Sequence, residues 1–248
     1  MVNNSGPSYQ VHRPQKENTN RIFNVPGVIL LIVGLCVAIY VLTALSPERT
    51  ARILEWGAGL SPRRFLAGPS VNGGLLAQVS PLISHMFLHA GLMHLGVNMF
   101  SLMAFGAPVA RRMGAEGAMQ NFSAFASASM FATFYFLCGI AGALAFIFLH
   151  ADEITLLVGA SGGISGMFGA LVRFAFNRTT LRGPQYAKIS PLLDRSVLTW
   201  TMFFVVGNVL FGLMGSGFGG EVAWEAHIGG FLFGLVTYPF FERVARSF

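Results

Sequence analysis

Residues 156–169 read LLVGASGGISGMFG. Within them Ser161 is flanked by Gly159, Gly162 and Gly163, so no bulky neighbour shields its hydroxyl and other backbone can approach closely. That is what a nucleophile needs, but two plainer readings fit the same letters. GASGG matches the G-x-S-x-G elbow of soluble hydrolases, with residues 154–158 as the strand and a helix from Ser165 onward. It also matches small-residue packing of a membrane helix, because Gly159 and Gly163, like Gly162 and Gly166, are four apart. The rest of the chain has to choose among them.

Composition removes the soluble elbow. Hydrophobic residues make up 54% of the 248 positions and charged residues 10%, against about 25% charged in ordinary soluble domains. The 24 Phe and 30 Gly point the same way, since Phe faces lipid cheaply and Gly lets helices touch. A net charge of +6 raises the question of nucleic acid, yet the Lys and Arg lie scattered in loops between apolar runs, so membrane topology explains them better. Cys36 and Cys138 each fall inside an apolar run, where a small hydrophobe is the default role. They supply neither a disulfide framework nor a metal motif.

Working outward, the expected fold is all-α, a polytopic membrane protein with six transmembrane helices. Residues 1–25 are polar and read as a cytoplasmic tail, and 243–248 as a short C-terminal one. Between them, 26–242 form the helical core. Its first run, 26–45, is long enough to span and longer than a signal-peptide core. The segment 46–80 carries Trp56, Arg63, Arg64 and three prolines among Ile53, Leu54, Leu60, Phe65 and Leu66, and reads as an interfacial outer loop. Further runs cover about 86–109, 122–149, 156–176, 197–214 and 226–241. Of the 16 basic residues, Arg49, Arg52, Arg63 and Arg64 fall on one side and 12 on the other. Both termini are therefore expected in the cytoplasm. Compact size and the lack of an Arg-rich, Ser-rich transit segment point to a bacterial cytoplasmic membrane.

In this topology the second, fourth and sixth runs all start at the outer face. The second carries His94 and Asn98, the fourth Ser161 and the sixth His227, each roughly one to two turns of about 5.4 Å in. His94 and Asn98, four apart, share a helix face. Ionisable groups at membrane depth are costly unless paired or wet, and they mark function. The chemistry gives each a reason. Ser161 needs a base, and His227 can take its proton and return it to a leaving amine. Asn98, His94 and the Ser161 N–H are the available oxyanion donors. Gly159, Gly162, Gly163, Gly230 and Gly234 would let the two helices pack closely enough for the bond.

GASG at 159–162, HLGVN at 94–98 and AHIGGFLFG at 226–234 resemble the GxSG, HxxxN and AHxxGxxxG motifs of the rhomboid intramembrane serine proteases. The resemblance covers the six-helix core. It implies peptide-bond hydrolysis inside the bilayer by a Ser161 and His227 dyad without a carboxylate, with His94, Asn98 and main-chain N–H groups as the oxyanion site. It also implies transmembrane proteins as substrates, cut near the outer end of a locally unwound helix, and no cofactor. Two departures stand out: Ser80 and Pro81 occupy the place of a Trp-Arg pair found in many bacterial members, and Ser165 replaces an aromatic that often packs on the dyad imidazole. What orients His227 is thereby left open.

The alternative is a silent rhomboid-like protein that binds transmembrane clients. A transporter would want polar groups through the whole thickness, and here the inner halves are apolar. His85 and His89, one turn apart, suit loop-holding hydrogen bonds better than a metal pair, since Met86 stands where HExxH has Glu. His150 with Asp152 and Glu153 reads as a solvated turn. Glu225 is expected at the water boundary, off the His227 face. The glycine-rich interval 215–223 reads as a mobile cap over the site.

Overall fold

The computed structural model describes residues 25–117, 121–176, 188–214 and 222–248. The polar tail and the greater part of the glycine-rich interval, including Gly219 and Gly220, lie outside the described residues.

Among the described residues the named elements are all helical, as the composition predicts. The first run is α1 (Gly27–Leu45), which starts after Pro26 and buries only the face of Ile29, Ile32 and Cys36. The outer segment follows as α2 (Glu48–Ala58), α3 (Pro62–Leu66), α4 (Pro69–Asn72) and α5 (Leu75–Val79). Ile53, Leu54, Trp56, Leu66, Val71, Leu75 and Leu76 are all exposed there. Apolar side chains turned outward on short helices suit a segment resting on a membrane surface. α6 (Pro81–Ser84) and a 3₁₀ turn at His85–Phe87 lead into the second run. That run is α7 (Leu92–Ser101), a π turn at Leu102–Gly106 and α8 (Ala107–Arg112). Pro108 lacks the N–H that an unbroken α-helix would use, and the widened turn just before it absorbs the gap.

α9 (Phe122–Leu149) starts where Asn121 Oδ1 accepts from the Ala124 N–H at 2.7 Å. α10 (Ser161–Val172), α11 (Arg195–Leu213) and α12 (Trp224–Ala245) complete the chain. Among the described residues, four helical stretches are long and apolar enough to cross a membrane unaided: Gly27–Leu45, Leu92–Arg112, Phe122–Leu149 and Arg195–Leu213. The two left over are the ones that carry Ser161 and His227.

α10 differs from its expectation over 156–176. It has 12 residues, about 18 Å against a hydrocarbon core of about 30 Å, and residues 156–160 are not helical. Leu157 instead exchanges hydrogen bonds with Leu60 in an antiparallel bridge, at 3.1 and 2.8 Å. Non-helical backbone at this depth is tolerable because protein, not lipid, surrounds it. The residues after Ser161 are almost all buried. α12 also runs past the expected span to Ala245, so residues 243–245 are helical rather than tail.

α9, α10 and α12 meet backbone to backbone at the centre. A Cβ on Gly234 would stand 2.6 Å from Gly166 Cα, one on Gly230 would strike the Gly162 carbonyl, and one on Gly142 would strike the Ala226 carbonyl. Only glycine permits this approach. At the far end of α12, Glu242 pairs with buried Arg112 at 3.0 Å and with Arg246 at 3.1 Å, and Arg112 lies over the Phe174 ring. α11 is the loosely held member: Val197 is its one buried residue.

Candidate active site

Ser161 is the first residue of α10, where the opening N–H groups have no carbonyl partner within the helix and the dipole favours negative charge. The chain reaches it through Gly159, whose φ of +118° is a left-handed conformation that glycine adopts without strain. A Cβ there would lie 2.8 Å from His94 Nε2, so the same glycine also makes room for that imidazole. The turn is anchored from outside, since the Gly159 N–H donates to the His85 carbonyl at 2.9 Å. His85 Nδ1 is in turn 2.7 Å from the Pro81 carbonyl. His85 thus ties the outer loop to the serine turn, in keeping with the loop-holding role read from its spacing. His89 stands edge-on to His94 with ring centres 5.2 Å apart.

His227 comes from the first turn of α12. Its Nε2 is 2.8 Å from Ser161 Oγ. The backbone contacts of Gly162 with Gly230 and of Gly166 with Gly234 draw α10 and α12 together just below that bond. His94 faces the Gly159 turn from α7. Asn98, one turn further on, is buried; its Nδ2 donates to the His94 carbonyl at 2.8 Å, which leaves one amide hydrogen uncommitted by that bond. Among the described residues its buried Oδ1 has no hydrogen-bond partner.

Two expectations are corrected. His150 is not a merely solvated turn residue: its Nδ1 is 2.9 Å from Glu153 and its Nε2 3.0 Å from Glu225, with Phe146 stacked on the ring. Glu225 accordingly is buried and ion-paired, not at the water boundary, though it does point away from His227 as its spacing requires. Burial opposes charge on His150, but the two carboxylates outweigh it and raise its pKa above the ordinary histidine value. A neutral ring could donate to only one of them.

The residue that sequence reasoning missed is Asn208. It lies in the C-terminal half of α11, and its Oδ1 is 2.8 Å from His227 Nδ1. The available signal was a lone amide inside an otherwise apolar run, FFVVGNVLFG at 203–212, which at membrane depth marks function by default.

A Rhomboid domain profile matches residues 76–243, more than half of the chain. The chain belongs to the rhomboid family. Among curated proteins it is similar to RHOMBOID-like protein 9, chloroplastic, of Arabidopsis thaliana, with 27% identity over 96% of this chain and 48% of that protein. RHOMBOID-like protein 6, mitochondrial, of the same plant is 29% identical over 62% of this chain and 41% of its own length. RHOMBOID-like protein 5 is 27% identical over the same shares. The chain thus spans less than half the length of these relatives.

Proposed function

We propose that this rhomboid protein is an intramembrane serine endopeptidase that hydrolyses peptide bonds of transmembrane proteins. The observation that carries the reading is the 2.8 Å approach of His227 Nε2 to Ser161 Oγ, made between two helices held together by glycine contacts. In this reading His227 removes the hydroxyl proton as Ser161 attacks the scissile carbonyl, then delivers it to the leaving amine. Water hydrolyses the resulting acyl-serine by the same path. The oxyanion meets the N–H groups at the start of α10, His94 Nε2 beside Gly159, and the second amide hydrogen of Asn98. Their combined effect is the largest expected electrostatic contribution, roughly a hundredfold or more per donor.

The short α10 supports a site below the membrane surface, because it starts inside the protein rather than at its rim. We place the basic side, and with it both termini, in the cytoplasm and the site toward the outer face. The membrane is taken to be a bacterial cytoplasmic one.

The test uses the full chain in liposomes with a model transmembrane substrate and a fluorophosphonate probe. Parent protein is expected to cleave and to be labelled; Ser161→Ala and His227→Ala are expected to do neither. Equal cleavage by Ser161→Ala defeats the nucleophile assignment. A folded parent that captures clients but is neither labelled nor active is the silent binder instead.

A further inference from the structure

We propose that Asn208 is the positioning residue of this site, selecting the tautomer of His227 from a neighbouring helix that packs against α12. The proposal rests on the protease reading for its kinetic consequences only. Ser165, one turn after Ser161, is too small to cover the imidazole, so orientation has to come from elsewhere. Asn208 Nδ2 donates to the Phe204 carbonyl at 2.9 Å, which leaves Oδ1 as the atom facing His227 Nδ1 at 2.8 Å. An amide oxygen only accepts, so Nδ1 carries the proton. A neutral imidazole has one N–H, and Nε2 therefore presents its lone pair to Ser161 Oγ at 2.8 Å. This is the tautomer a general base requires, set by the bond at the other nitrogen.

The same two helices carry a second contact in register with the first. Phe204, four residues before Asn208, stacks on Phe231, four residues after His227, with ring centres 4.3 Å apart and planes at 16°. Phe168 of α10 packs on both rings, at 5.4 and 6.0 Å. Pairs four apart share a helix face, so the Phe204–Phe231 stack and the Asn208–His227 bond form or part together. Only Val197 of α11 is buried; the helix is seated by these contacts together with Val197 and the stack of Trp200 on Phe176, whose ring centres are 4.3 Å apart. The base is ready while α11 is seated on α12.

The experiment combines turnover with the nitrogen spectrum of histidine-labelled full-length protein in bilayers. Parent protein is expected to show a proton on His227 Nδ1. Asn208→Leu and the smaller Asn208→Ala are expected to lose that signature and to lower kcat by roughly 10–10²-fold with KM within about twofold, as for loss of an orienting partner. Asn208→Asp, whose carboxylate accepts from the same N–H, is expected to recover most of kcat. A parent without the Nδ1 proton overturns the proposal, as does an unchanged kcat in both Leu and Ala variants. A parent that has the Nδ1 proton, loses it in Asn208→Leu, yet cleaves nothing and takes no fluorophosphonate supports the assignment and refutes only the hydrolase reading.

Discussion

Gly230→Ala is the most informative single change, because it acts on the helix contact rather than on the reacting groups. A Cβ at this position would stand 2.8 Å from the Gly162 carbonyl carbon, closer still to its oxygen, and 3.1 Å from the Cys138 carbonyl oxygen. All three are backbone atoms, so no side chain can swing aside. Bringing the carbon contact to an ordinary 3.4 Å already requires α10 and α12 to separate by at least about 0.6 Å, and the closer oxygen contact demands more. Gly230 is one turn from His227, and Gly162 adjoins Ser161, so nearly all of that opening reaches the Ser161–His227 pair. The 2.8 Å bond would then stretch to at least about 3.4 Å, at or beyond the limit of a useful hydrogen bond. Overpacking of this kind costs about 1–3 kcal/mol of stability, and a displacement approaching 1 Å at reacting atoms costs on the order of 10²-fold in rate. Alanine's better helix propensity offsets at most about 1 kcal/mol. That gain can be read separately from Gly34→Ala and Gly96→Ala, where a Cβ meets nothing within 4 Å. Thermal midpoint and kcat in liposomes should therefore fall together for Gly230→Ala and hold or rise for the two controls. A Gly230→Ala protein matching the parent in both would refute the claim that glycine contacts set the dyad distance.

Two further outcomes follow from the ion pairs. Glu242→Gln removes the carboxylate that Arg112 and Arg246 share at the end of α12 remote from His227, where the Arg112 and Glu242 side chains are 5% and 8% exposed. Unfolding in detergent should show a loss of about 3–5 kcal/mol while kcat of the folded fraction stays within about twofold; a large kcat change at unaltered stability would contradict it. His150, with its pKa raised by Glu153 and Glu225 despite burial, stabilises the fold fully below the ordinary histidine value and loses that contribution as pH rises through the raised folded one. The thermal midpoint should thus fall as pH rises from about 6 through the raised folded value in the parent, and less in His150→Gln; equal slopes would remove the linkage.

Each feature legible in the sequence depends on near neighbours in the chain. Apolar runs marked the spans, because a helix in lipid satisfies its own backbone within one segment. Spacing of four put His94 with Asn98 on one face, and glycine flanks exposed Ser161, whatever the rest of the chain does. Local pattern also misled, for the same reason. Residues 156–160 have the hydropathy of a helix, yet Leu60 and His85, remote in sequence, draw their backbone into other bonds. His150 and Glu225 looked like separate loop residues until the ends of α9 and α12 were brought side by side. Asn208 had no motif around it at all. Its role depends on how α11 lies against α12, and that is set by rings and backbone contacts from four helices at once. Helix content and site chemistry are local properties of this chain; distance, tautomer and docking arise only when non-adjacent helices pack.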